Sequence, residues 1–212
     1  IVEIGNVFTP RTRALQTLLP PDPHHMRERY GIFVIIVLGE SFIKTITSAS
    51  GLALNPEILA FSLLGIFVVV ALWWLYFNDV ETTVIKLAHW APYGWIYAHL
   101  PLTMGLTAFG VGAKKLFQSV GDDHVKVSYL ALFCGALVVY ALALMFVELA
   151  TTPEEDAPPR WRGAIPACTA GGMALIFVFG QELAPLPLIA LVAGLLAASL
   201  AATIGRAGVM AR

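Results

Sequence analysis

The chain has 212 residues, of which 58% are hydrophobic and 13% charged, with a formal net charge of −1 at pH 7. A soluble domain carries about a quarter charged residues, so half that share points to lipid as the solvent, as does a mean hydropathy of +0.78. The near-zero charge excludes a global basic field for nucleic acid, and the basic residues sit in short clusters between apolar runs, which is a topology signal.

Residues 1–29 read as a polar cytoplasmic leader. They hold Arg11, Arg13, Arg27 and Arg29 but no apolar core with a small-residue cleavage site, so a signal peptide is not expected in this stretch. Because Ile1 rather than Met comes first, the expectation is that the chain opens in a loop of a longer protein. A membrane-spanning helix needs about 20 mostly apolar residues. Six stretches qualify: Tyr30 to Ala49, Ile58 to Phe77, Trp95 to Leu116, Val127 to Ala150, the short Gly-rich Ala164 to Phe179, and Leu186 to Ile204. The fold expected is therefore all-α, a polytopic bundle of about six transmembrane helices over residues 30–205, with a cytoplasmic tail at 206–212. Gly51 to Pro56 and Gln181 to Pro187 are tight connectors without Lys or Arg, and the charged, Pro-rich Thr151 to Arg162 must lie in water.

Lys and Arg set the orientation. With the N-terminus inside, inner segments hold nine (Arg11, Arg13, Arg27, Arg29, Lys86, Arg160, Arg162, Arg206 and Arg212) and outer loops three (Lys114, Lys115 and Lys126). Both termini are therefore expected in the cytoplasm of a bacterial cell, with the bundle in its inner membrane.

The first span carries two residues that do not belong in lipid, Glu40 and Lys44. Each of its ten strongly apolar residues favours insertion by about 0.3–0.6 kcal/mol, whereas a central Glu or Lys opposes it by about 2.5–3.5 kcal/mol. The two charges roughly cancel the gain, so this helix is expected in a bundle interior, against polar groups or water. Arg29, Phe33, Ile36, Glu40, Lys44 and Thr47 recur every three or four residues and share one helix face. Glu40 precedes Lys44 by four, the favoured order for an intrahelical ion pair. One reading is a polar pathway near mid-membrane, and the other a neutralised pair that orients the helix.

The third span has a matching stripe of His99, Thr103 and Thr107, with Gly110 three further on and Pro101 leaving the carbonyl of Tyr97 without its amide partner. A histidine there can relay protons or hydrogen-bond across helices. Glu40, Lys44, Ser41, His99 and Thr103 together form the expected intramembrane polar site. An inner charge cluster is expected from Glu28, Arg29, Asp79 and Glu148, in which Asp79 or Glu148 partners Arg29. Trp73, Trp74, Tyr76 and Trp95 fit an aromatic belt. Ala190, Gly194, Ala198 and Ala202 on the last span form a small-residue face for close helix approach. Cys134 and Cys168 lack metal-ligand spacing and read as small buried hydrophobes.

His24 or His25 through Phe42 contains Glu28-Arg29-Tyr30-Gly31 leading to Leu38-Gly39-Glu40-Ser41, and this stretch resembles the bacterial low temperature requirement protein A (LtrA) family. WWLYFND (Trp73 to Asp79) and YAHLPLTMGLTAFGVG (Tyr97 to Gly112) are similar to it as well, so the resemblance covers His24 to about Gly112. It implies a multi-span membrane protein with a further N-terminal half, whose W-x-E-L-F-F-D-L-V-F-V type motif is absent here. The chain thus resembles a C-terminal half.

Three functions follow as expectations. A transport or ion-permeation protein leads, with Glu40 as central carboxylate, Lys44 its charge partner, His99 contributing, and Arg29 with Asp79 as an inner clamp. A structural or regulatory membrane protein, in which the stripes only fix packing, is the alternative. An intramembrane enzyme ranks last, for want of H-E-x-x-H, a second in-membrane His at ligand spacing or a Ser nucleophile arrangement, so no catalytic residue, metal or cofactor is assigned. The expected partners are the lipid bilayer, the N-terminal half and a second copy of the chain, and not nucleic acid.

Overall fold

The computed structural model describes residues 22–49, 55–81, 83–86, 90–153 and 163–210. Most of the leader, the connector at 50–54, residues 154–162 and the side chain of Asp79 lie outside the described residues. Among those described are six α-helices and two short strands: α1 (Pro23–Ala49), α2 (Pro56–Glu81), β1 (Thr83–Ile85), α3 (Ala91–Phe117), α4 (Val127–Ala150), β2 (Thr151–Pro153), α5 (Ala164–Phe179) and α6 (Pro185–Met210). The architecture is an all-α membrane helix bundle. Helices α1, α2, α4 and α6 are long and apolar enough to cross a membrane. The less apolar α3 has 27 residues, and the apolar α5 has 16.

Local chemistry sets the helix starts. Pro56 opens α2 behind Asn55, whose Oδ1 accepts the Ile58 N–H at 2.7 Å. Asp22 does the same for α1, accepting the His24 N–H at 2.9 Å ahead of Pro23. Gly163 precedes α5 at φ 81°, a left-handed conformation that favours glycine. Pro101 stays inside α3, which continues through it to Phe117.

Around the bundle α3 packs on α4, α4 on α5, α5 on α6, α6 on α2, α2 on α1 and α1 on α3. The tightest seam joins α3 and α4. A Cβ on Gly105 would lie 2.9 Å from Ala136 O and Tyr140 N, and one on Gly112 would lie 2.9 Å from Phe133 Cα. Only glycine lets the two backbones meet this closely. Across the bundle, Tyr140 donates its hydroxyl to Leu72 O at 2.7 Å, and Phe61 meets Phe117 edge to face. Cys134 is buried as expected, but Cys168 is exposed on α5, because a 16-residue helix packed on two neighbours leaves that side open.

The strands β1 and β2 pair antiparallel, with Val84 opposite Thr152. Three-residue strands carry no hydropathy signal of their own, and the ribbon was not expected. Two cations seal it: Arg27 donates to Thr83 O at 2.6 Å, and Lys86 Nζ donates to Leu149 O at 2.6 Å, at the carbonyl end of α4.

Candidate functional site

The residues singled out in the sequence fall at two depths. Near the ribbon end, α1, α2 and α3 bring together Tyr30, Tyr76, Trp95 and His99. The His99 ring lies 4.1 Å from Trp95 and 4.7 Å from Tyr30, centroid to centroid. Its Nδ1 is 2.7 Å from Trp95 O and its Nε2 is 2.9 Å from the Tyr76 hydroxyl. A carbonyl only accepts, so Nδ1 carries the proton, and Nε2 accepts from Tyr76. The neutral ring is then satisfied at both nitrogens. Thr103 turns its hydroxyl back to His99 O at 2.8 Å, and Thr107 repeats the pattern to Thr103 O at 2.9 Å. Tyr76 and Trp95 are fully buried, so they do not belong to an aromatic belt, whereas Trp73 and Trp74 are exposed. Buried Trp95 Nε1–H has no acceptor among the described residues.

Farther along α1, Ser41 is buried against α3. Its Oγ donates to Leu106 O at 3.0 Å, and a Cβ on Gly110 would come within 2.8 Å of that Oγ. Glu40, one residue away, points out of the bundle. Its Oε1 pairs with Lys44 Nζ at 3.2 Å, with the Glu40 side chain 58% and the Lys44 side chain 31% exposed. The interior placement expected for this pair is therefore corrected. Since successive helical residues diverge by about 100°, burying Ser41 on α3 turns Glu40 away. Tyr30, which touches His99, precedes Glu40 by ten residues, or about 15 Å of helix rise. Glu40 and His99 thus do not share one site.

Of the expected charge cluster, Glu148 separates from Glu28 and Arg29. Arg29 Nε donates to His25 Nε2 at 2.9 Å, and Glu28 lies 4.0 Å from His25 Nδ1, all three exposed on α1. Glu148 is buried and accepts the Gly163 N–H at 2.7 Å. Amides at a helix start lack partners, and the helix dipole favours an anion there, so Glu148 anchors the start of α5. Arg27, which sequence reasoning left unassigned, ties α1 to the ribbon. Tyr30 and Tyr76 were missed as partners of His99, although both lie in the motifs that carried the resemblance, and those motifs converge here.

The sequence model for the bacterial low temperature requirement A protein (LtrA) matches residues 1–202. This chain belongs to the LtrA family. The match reaches past Gly112, where the resemblance read from motifs had stopped, to within α6. A similar relative is an uncharacterized protein of Rhizobium meliloti (strain 1021), 32% identical over 112 residues. The aligned stretch covers 48% of this chain and 24% of that relative, so the chain spans only part of its length. No solved structure matches. This LtrA-family chain is an integral membrane protein: the family match and its long apolar helices agree. Among the described residues, no group of three or more His, Cys, Asp or Glu is placed to hold a metal ion.

Proposed function

We propose that this chain is part of a transport or ion-permeation protein of the bacterial inner membrane, with both termini in the cytoplasm, and that its polar route runs along the outward face of α1. The observation that carries this is the Glu40–Lys44 ion pair, held at 3.2 Å on a span and left open by its own bundle. A charged side chain facing hydrocarbon is unfavourable by several kcal/mol, so such residues border polar partners or water. The polar residues expected inside are already engaged: His99 is satisfied at both nitrogens and Ser41 is committed to α3. The route therefore belongs beside the bundle, at α1. The excess of Lys and Arg at the ribbon end and the termini supports the orientation.

The test is proton and monovalent-cation flux in proteoliposomes. Glu40→Gln and Lys44→Met are expected to lower the flux while the protein still elutes as a folded species. Flux unchanged in both variants overturns the reading.

A second reading, a structural or regulatory membrane protein without a transported solute, draws on the closed His99–Tyr76 bond. No flux from the wild-type protein under any ion gradient, with folding intact, favours it. Enzymatic chemistry draws no support from the geometry.

A further inference from the structure

Helices α5 and α6 leave a cavity of about 450 Å³ between them, lined by Leu195, Ala198, Ala202 and the exposed Cys168. Two buried hydroxyls close its inner side, those of Thr169 and Ser199, whose oxygens lie 2.7 Å apart. Each hydroxyl also reaches a backbone carbonyl of its own helix. Thr169 Oγ1 is 2.8 Å from Ile165 O, and Ser199 Oγ is 3.0 Å from Leu195 O. A hydroxyl has one proton and two lone pairs, so three contacts here share two protons. However they are shared, one contact stays without a proton and none is left over. At least three of the four hydroxyl lone pairs are unused. The pair is therefore an acceptor in want of a donor.

We infer that this cavity binds a neutral, apolar alcohol or phenol, whose hydroxyl donates to the Thr169–Ser199 pair. The volume lies within the range of small-molecule pockets. The alanine and leucine walls select an apolar body. Thr169 stands five residues into α5, about 8 Å along the axis from its start, where a charged donor such as an ammonium is costly. A lipid tail fills the volume but brings no donor. A ketone, ester or ether brings only acceptors to a site that already has lone pairs in excess. A hydroxyl supplies the missing proton, and its own oxygen needs no further donor because the pair has none to give. The site shares no residue with the route proposed along α1.

The test uses the full chain in nanodiscs of phosphatidylcholine, a lipid without a hydroxyl, and a decanol that carries a photoreactive diazirine on its tail. Peptide mass spectrometry is expected to place the label on the cavity residues of α5 and α6. Leu175 and Val178, exposed on α5 outside the cavity, are the control for contact with bulk lipid and are expected to take little. Unlabelled 1-decanol is expected to compete about threefold better than decyl methyl ether, the ratio that one hydrogen bond within a membrane supports. Thr169→Val with Ser199→Ala is expected to make the two competitors equal while labelling persists, which a misfolded chain would not show. Ala198→Leu, which fills the cavity, is expected to abolish labelling there and leave the elution profile unchanged. Equal competition by alcohol and ether in the wild-type chain overturns the assignment, because water or lipid then already satisfies the hydroxyls. Cavity labelling no stronger than at Leu175 and Val178, as when another helix fills the groove, overturns it too, as does labelling indifferent to Ala198→Leu.

Discussion

Helices α1 and α3 both carry polar side chains at membrane depth, yet they use them in opposite ways. In α3 the buried His99 and Thr103 are spent inside the bundle: His99 on Tyr76 and a backbone carbonyl, Thr103 on the preceding turn. In α1 the hydroxyl residues Ser41 and Thr45 are buried toward the bundle, and the charged pair faces out. The same contrast shows in burial, for 28% of the α1 span is buried, whereas 14 of the 27 residues of α3 are. Polarity inside a membrane thus has two meanings: satisfied within a fold it fixes helix positions, and turned outward it calls for a further partner.

That contrast can be broken at four points, all read from denaturation midpoints in detergent. Gly105→Val strikes the backbone contact between α3 and α4 and is expected to destabilise by about 3 kcal/mol, the upper end of overpacking penalties. A normal midpoint would mean that the seam is looser than 2.9 Å implies. Tyr76→Phe leaves Nε2 of His99 without its donor, and about 1–2 kcal/mol of destabilisation is expected. Ser41→Ala removes one interhelical bond, for which about 0.6 kcal/mol is typical in membranes. Glu40→Gln is expected to shift the midpoint least, by about 0.2–0.5 kcal/mol, as for an exposed intrahelical pair. If Glu40→Gln outranks Tyr76→Phe, the distinction between the two helices fails.

The helices were legible because hydropathy is written in long runs: the spans read from the sequence fall inside the helices observed, to within the Pro and Asn residues that start them. The shared face of Arg29, Phe33, Ile36, Glu40 and Thr47 was legible too, since spacing alone sets it. The direction of that face was not. It is fixed by Ser41 meeting Gly110 and Leu106, a contact between residues more than sixty positions apart. Pairings across helices leave no local trace, which is why Tyr76 read as an aromatic belt residue and Glu148 as a partner for Arg29. The ribbon escaped for a different reason: its strands are too short to show alternation.

The ribbon has a mechanical consequence. It joins the connector between α2 and α3 to the one between α4 and α5, and Arg27 and Lys86 bolt α1 and the end of α4 to the same spot. Helices α1, α2 and α4 are therefore clipped together at one end of the bundle, as the blades of a fan are held at the rivet. Any spreading of these helices has its pivot there, and its widest travel at the opposite rim.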